Sequence, residues 1–168
     1  MDEIAAEAGI TKPVLYRHFG DKDGLYEALA ERYVDELKRE LMPAAEMPNA
    51  RARLAASIDA YLSYVEREPE RYRFLLGAAE RSRTADLVAD FRRERVERCA
   101  STATESMRRA GVEPAIGELW AHAVGGLVRE AGIWWLETRG LPRERVVEHL
   151  TAVVWEGGSA LRRSARTA

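Results

Sequence analysis

Hydrophobic side chains recur at three- and four-residue intervals through most of the chain, and no segment alternates convincingly between polar and apolar residues. This pattern predicts helices and no sheet, so the expected fold class is all-α. A helical stripe of Leu25, Leu29, Tyr33 and Leu37 is the clearest case. The longer predicted helices cover residues 22–41, 50–68, 85–110, 114–138 and 143–163, with a shorter helix opening at Pro69.

The first 22 residues predict two short helices joined by a tight turn. Gly9 can end an Ala-rich first helix in a left-handed conformation, and Thr11 is a good N-cap for the next helix. Pro13 then falls in the first turn, where its missing N–H is harmless. Gly20 and Asp21 end this second helix and cap the third. Helix, turn and basic helix is the helix-turn-helix arrangement.

The second helix is too short to bury a core of its own, so its polar side is expected to serve something outside. Basic residues with a tyrosine suit the phosphates and base edges of a DNA major groove. The alternative is an ordinary solvated surface helix. The candidate DNA-binding residues are Thr11, Lys12, Pro13, Val14, Tyr16, Arg17, His18 and Lys22.

Four short sequences carry a resemblance to a known family: Ile4-Ala5, Ala8 to Thr11, Leu15 to Phe19, and Lys22. Together they resemble the DNA-binding segment of the TetR family of bacterial transcriptional regulators. The resemblance supports contacts to phosphates from Tyr16, His18 and Lys22, and contacts to base edges from Lys12, Pro13 and Val14. It also implies a ligand-responsive regulator that pairs through its last two helices.

The family places one more helix before this helix pair, and the three helices share a small core. The present chain opens at Met1, inside the family's second helix. We therefore expect the natural protein to extend about 30 residues further upstream, the size of one helix and a basic lead-in.

Composition narrows the functional class. The chain has 168 residues and a net charge of −2, but its first turns carry a local excess of cations, which is what DNA contact requires. The single cysteine, Cys99, excludes an intramolecular disulfide and is expected to be a small buried hydrophobe, with redox sensing as the alternative. No apolar run is long enough to cross a bilayer and no signal peptide is visible, so a cytoplasmic protein is expected.

The last two predicted helices carry apolar residues on more than one face and two Gly-Gly pairs. A helix with two apolar faces usually has two partners, here the chain's own core and a second copy of the chain. The alternative is a single thick core. The candidate dimer-interface residues are Gly125, Gly126, Trp134, Val146, Leu150, Val153, Gly157 and Leu161.

Large apolar and aromatic residues in the middle helices are candidates for an effector pocket, because several have polar tips that can orient a ligand. They are Tyr61, Tyr64, Tyr72, Phe74, Phe91, Met107 and Trp120. The alternative for each is an ordinary packed core. The expected organisation is a partial helix-turn-helix domain with its linking helix at 1–41, then an effector-binding and dimerisation domain at 42–168.

Catalytic patterns are missing from the sequence. There is no phosphate-binding loop, nucleophile elbow or metal-binding histidine motif. His122 and His149 fall on separate helices, and nothing pairs Asp59 with Glu80 as acid and base. The sequence thus predicts no enzyme, metal or cofactor, but a DNA-binding regulator, more specifically a homodimeric repressor that a small hydrophobic effector releases from double-stranded operator DNA. The alternative is a helical small-molecule-binding protein that does not bind DNA in this form.

Overall fold

The computed structural model describes residues 1–47, 49–80, 84–91, 93–94 and 107–165. This part of the chain is helical and contains no strand, as the sequence predicts. Its helices are α1 (Asp2–Glu7), α2 (Lys12–Phe19), α3 (Lys22–Leu41), a 3-10 turn (Pro43–Glu46), α4 (Ala50–Arg67), α5 (Pro69–Ala78), α6 (residues 85–91), α7 (Pro114–Thr138) and α8 (Arg143–Ser164).

Two helices begin at a side chain that caps them, α3 at Asp21 and α4 at Asn49. Asn49 accepts hydrogen bonds from the amides of Arg51 (2.8 Å) and Ala52 (3.2 Å), so it satisfies two of the free amides at the start of α4. Pro69 opens α5, as expected. The predicted helix over 85–110 is described only at 85–91, 93–94 and 107–109, and Cys99 lies outside the described residues.

Helix α4 lies at the centre of the C-terminal domain and packs against α3, α5, α7 and α8. Leu62 and Val65 of α4 are completely buried, and Trp135 of α7 is nearly so. Leu37 of α3 enters the same core, together with Val34, which the predicted stripe did not include. The far half of α3 is therefore part of the C-terminal core.

Polar contacts hold the start of α8 to α4 and the end of α7 to the α7–α8 connection. The guanidinium of Arg143 donates to Asp59 and to Glu66, each at 2.9 Å. The indole N–H of Trp135 donates to the carbonyl of Leu141 at 2.8 Å. Asp59 is thus half of an ion pair between helices. None of the described helices is long and apolar enough to span a membrane.

Candidate nucleic-acid interface and effector region

The turn between α1 and α2 is fixed by Gly9, whose φ of 65° lies in the left-handed region that glycine adopts without strain. The amide of Ile10 donates to the carbonyl of Ala5 at 3.0 Å, which closes the turn. Ala5 and Leu15 are both buried where the two helices meet. The small apolar contact leaves the opposite side of α2 in solvent.

Helix α3 begins unusually close to the end of α2. Gly20 has a φ of 73°, and the carboxylate of Asp21 accepts a hydrogen bond from the amide of Gly24 at 2.7 Å. A Cβ at Gly24 would lie 2.0 Å from the carbonyl oxygen of Phe19. Only glycine fits at this position, so the angle between α2 and α3 depends on it.

The predicted DNA-binding residues lie on α2, at its N-cap and at the first position of α3, and most of them are exposed. Val14 is half-buried, and the others are exposed. Thr11 has the extended backbone of an N-cap, but its side chain makes no capping hydrogen bond. Arg17 forms no ion pair within the described part of the chain, so its charge is available to a phosphate. The exposed members are Thr11, Lys12, Pro13, Tyr16, Arg17, His18 and Lys22.

Lys12 forms an ion pair with Asp2 of α1, with the ammonium 2.9 Å from one carboxylate oxygen. The hydrogen bond between the two side chains and the attraction between their opposite charges raise the pKa of Lys12 and lower the pKa of Asp2. Exposed ion pairs contribute little to stability, so a base or phosphate can take Lys12 from Asp2 at small cost.

Lys22 stands over the ring of Tyr26 one turn further along α3, with its ammonium 5.9 Å from the ring centre. Tyr26 in turn stacks on Phe74 of α5, with ring centres 5.3 Å apart. The rings of Tyr33 and Phe74 meet edge to face, with ring centres 5.5 Å apart. Phe74 was a candidate pocket residue, but the structure places it in the contact between α3 and α5.

Four other candidate pocket residues come together in the main core. Tyr61 and Tyr72 share a hydroxyl–hydroxyl hydrogen bond, and their rings meet edge to face at 5.8 Å. Tyr64 and Phe91 belong to the same buried cluster. These residues are packed against one another and supply both apolar surface and hydroxyl groups.

Trp120 and Met107 lie apart from that cluster, beside α8. A Cβ at Gly157 would lie 2.4 Å from the ring of Trp120, and Gly158 is close to both Trp120 and Met107. The second Gly-Gly pair therefore makes room for a tryptophan of the same chain. Gly157 was predicted to lie in a seam between two chains, and the structure shows that its near neighbour is internal.

The other candidate interface residues divide into outward and inward groups. Trp134 and Val153 are 51% and 57% exposed, whereas Val146 is 6% exposed and belongs to the chain's own core. Val146 is therefore unavailable to a partner, because its helical position turns it toward α4. Half-buried positions are taken by Gly125, Gly126, Leu150 and Leu161.

Two outward residues of α7, Leu119 and Leu127, were absent from the predicted interface. Leu119 is 68% exposed, and it shares a face of α7 with Leu127 and Trp134 at spacings of eight and seven residues. This heptad-like spacing is the signal that would have identified both leucines. We call Leu119, Leu127, Trp134 and Val153 the α7–α8 outer face. No group of potential metal ligands occurs in the part of the chain that the structure describes.

Comparison with known proteins adds a family to this geometry. The family model described as the tetracyclin repressor-like C-terminal domain matches residues 40–166. A second model, of bacterial regulatory proteins of the tetR family, matches residues 1–29. Together the two matches cover both the helix-turn-helix and the helical domain behind it.

Individual relatives and structures agree. An uncharacterized HTH-type transcriptional regulator of Mycobacterium tuberculosis is 30% identical over 165 residues, which cover 92% of this chain and 67% of the relative. The HTH-type transcriptional activator FasR of Mycolicibacterium smegmatis is 29% identical over 160 residues, which cover 94% of this chain and 72% of the relative.

Among solved structures, a TetR-like transcriptional regulator from Rhodococcus sp. RHA1 has the same fold, with a TM-score of 0.79, 24% identity, and coverage of 93% of this chain and 82% of that chain. A tetR-family transcriptional regulator from Streptomyces coelicolor has a TM-score of 0.69 and 26% identity, and the match covers 98% of this chain and 77% of that chain. The chain therefore belongs to the TetR family of bacterial DNA-binding transcriptional regulators, which are not enzymes.

Proposed function

We propose that the chain acts as a homodimeric repressor that binds double-stranded operator DNA and is released by a small hydrophobic effector. The observation that carries this proposal is the position of α3. Its first residue, Lys22, lies on the surface predicted to meet DNA, and its far end places Val34 and Leu37 in the C-terminal core. Twenty residues of helix span about 30 Å, so one rigid element joins both regions.

A ligand can shift DNA binding only if it favours one arrangement of the two recognition helices over the other. A change in packing around Tyr61, Tyr64 and Tyr72 would reach α3 through the shared core. In a dimer this would alter the spacing between the two copies of α2, and therefore their fit to two half-sites.

The direction of regulation is read from transcription, because an effector can weaken or strengthen the operator binding of repressors and activators alike. In a transcription assay on the DNA upstream of the chain's own gene, a repressor should lower the amount of transcript and the effector should restore it. The relative from Mycolicibacterium smegmatis is named an activator. A transcript that increases when the chain is added would place this chain in that class instead.

The DNA part of the proposal is tested with lysine variants and the DNA upstream of the chain's own gene. Lys22→Ala should weaken binding to all duplexes and reduce the slope of log affinity against log salt by about one, because phosphate contacts are sequence-blind. Lys12→Ala should relax preference at one base pair, a loss of about 1–3 kcal/mol if it contacts a guanine. Lys38→Ala is the matched control, because Lys38 lies on the far half of α3, away from the predicted DNA-binding residues, and forms an ion pair with Glu94. If both test variants bind like wild type and like the control, the assignment of the surface is wrong.

The dimer part rests on the α7–α8 outer face. Stable interfaces bury roughly 1,200–2,000 Å² or more, with aromatic residues at their centre. Val153→Glu and Trp134→Glu should each place a charge in this interface and yield monomers in analytical ultracentrifugation. Met47→Glu, at an exposed apolar position away from α7 and α8, should leave the assembly unchanged. A wild-type chain that sediments as a monomer at micromolar concentration would overturn the proposal.

The effector part is tested with N-phenyl-1-naphthylamine, a neutral apolar probe whose fluorescence rises on burial. Operator should lower the affinity for the probe, and the probe should lower operator affinity by the same factor, because coupling between two binding sites is reciprocal. Probe binding that is equally tight with and without operator would show that the core is not coupled to DNA.

A further inference from the structure

One face of the first half of α3 joins the predicted DNA-binding residues to the contact with α5. The residues on this face recur at intervals of three or four and are Lys22, Tyr26, Ala30 and Tyr33. Lys22 is exposed at the first position of the helix, whereas Ala30, about two turns further along, is completely buried. A side chain between them can therefore touch both regions.

Phe74 of α5 lies against this face and contacts two of its aromatic rings. It stacks on Tyr26, with ring centres 5.3 Å apart and an interplanar angle of 9°, and it meets Tyr33 edge to face. Both arrangements are favourable for aromatic rings. Ala30 of α3 and Ala78 of α5 are buried in the small cluster against which Phe74 packs, so the two helices approach closely there. The ring of Tyr26 is thus held by a side chain of the C-terminal domain.

The ring of Tyr26 also has a cation beside it. The ammonium of Lys22, four residues earlier, lies 5.9 Å from the ring centre, which is within the range of a cation–π interaction. Lys22 forms no ion pair within the described part of the chain. A ring attracts an ammonium without neutralising its charge, and the ammonium has three N–H donors. Lys22 can therefore stay beside the ring while a phosphate binds its donors.

Lys12 shows what a different partner would do. Its ammonium lies 2.9 Å from a carboxylate oxygen of Asp2, so DNA has to take it from an ion pair. A lysine with no partner at all would instead lose side-chain freedom on binding, which also weakens affinity. Lys22 avoids both costs, because the ring restricts its ammonium before DNA arrives and leaves its charge unpaired.

We propose that Tyr26 is a positioning residue for DNA binding, whose ring, held by Phe74, keeps the ammonium of Lys22 where a backbone phosphate can bind it. This rests on the proposed phosphate contact of Lys22 and deepens it, because the contact then depends on a side chain of α5. A shift of α5 relative to α3 would break the stack and release Lys22. Operator affinity would then fall while α2 itself stays unchanged.

A double-mutant cycle in DNA affinity tests the inference, by fluorescence anisotropy with the full chain and a labelled duplex from the DNA upstream of its own gene. Tyr26→Leu keeps an apolar side chain but removes the ring, and should weaken binding about three- to tenfold. In a Lys22→Ala background the same substitution should change affinity by no more than about twofold, because the group that it positions is gone. Phe74→Leu should behave in the same way, with a smaller effect in the wild-type background.

Arg17 provides the matched control cycle. It is an exposed cation of α2 that is also predicted to meet DNA. If Tyr26 only held the whole helix-turn-helix in place, its loss would couple to Arg17 as strongly as to Lys22. We expect Tyr26→Leu and Arg17→Ala to be additive to within about twofold. Tyr26→Phe keeps the ring and should bind DNA as wild type does.

The outcomes separate this inference from the proposed function. If Lys22→Ala binds like wild type, the phosphate contact is wrong and the inference is wrong with it. If Lys22→Ala weakens binding but Tyr26→Leu does not, or if Tyr26 couples equally to Lys22 and Arg17, only the positioning role is overturned. Phe74→Leu leaves Tyr26 in place, so it decides the question if Tyr26→Leu loses helix content in circular dichroism. These measurements contain no effector and do not depend on the direction of regulation.

Discussion

Two substitutions that each remove a single oxygen atom should change the stability of the protein in opposite directions. Tyr64→Phe deletes a buried hydroxyl that has no partner among the described residues. The folded state then loses an unsatisfied group and gains roughly 1–3 kcal/mol. Tyr72→Phe instead breaks the hydroxyl–hydroxyl bond to Tyr61 in the same core, and should cost roughly 1–3 kcal/mol.

Thermal unfolding followed by circular dichroism measures both effects. One kcal/mol corresponds to about 2–4 °C for a chain of this size, so the two melting temperatures should differ by at least about 4 °C. Protein concentration must be fixed, because self-association shifts the melting temperature. Tyr16→Phe on the exposed face of α2 is the control and should change stability by less than about 0.5 kcal/mol. If Tyr64→Phe destabilises the chain as much as Tyr72→Phe, the Tyr64 hydroxyl has a partner in the folded chain and the reasoning is wrong.

Three further predictions concern charges and backbone approach. Asp2→Asn should raise operator affinity by up to about fivefold in a fluorescence-anisotropy titration, because Lys12 no longer has to leave an ion pair. Glu3→Gln removes the same charge from α1 and should have the smaller effect. Equal effects of the two substitutions would exclude a specific role for the ion pair between Lys12 and Asp2. Gly24→Ala should abolish operator binding while the C-terminal domain stays folded by circular dichroism, since its methyl group would lie 2.0 Å from a backbone oxygen of α2. Burial raises the pKa of Glu36, but hydrogen bonds and charge attraction from Arg32 and Arg71 outweigh burial, so the pKa of Glu36 is lowered. The stabilisation from these ion pairs is present above the usual carboxyl pKa and is lost as pH falls through the lowered pKa. Urea unfolding from pH 7 to about pH 3 should therefore show a smaller loss of stability in Glu36→Gln than in wild type.

The sequence predicts the helices well because their signals are local. Asp21 and Asn49 each cap the helix that follows them, as their type and position indicate. The turn at Gly9 has the expected left-handed backbone. Thr11 is the exception, since its backbone is that of a cap while its side chain makes no capping bond.

The sequence could not decide which neighbour each apolar side chain meets. Phe74 was grouped with the pocket because it is large and lies in a middle helix, yet it packs against two tyrosines of α3. Val146 was placed at the interface, yet it faces the chain's own core. Helical periodicity gives the face of a residue within one helix, and the crossing of helices decides what that face touches.

The ion pairs that join α3 to α4 and α5 were missed for a related reason. They join residues 27 and 35 positions apart, as in Arg67 with Glu40 and Arg71 with Glu36. Nothing in the sequence pairs these charges, so these contacts and the unpaired hydroxyl of Tyr64 are visible only in the folded chain.

Selection of binding sites from a pool of random DNA duplexes tests the central claim most directly. A dimer that presents two copies of α2 should enrich a near-palindromic sequence whose half-sites are separated by about one helical turn or a multiple of it. Substitution of Val153 by Glu should abolish the paired half-sites, and substitution of Lys12 by Ala should relax preference within each. Enrichment of no sequence, or of one unpaired site by wild type, would contradict the account.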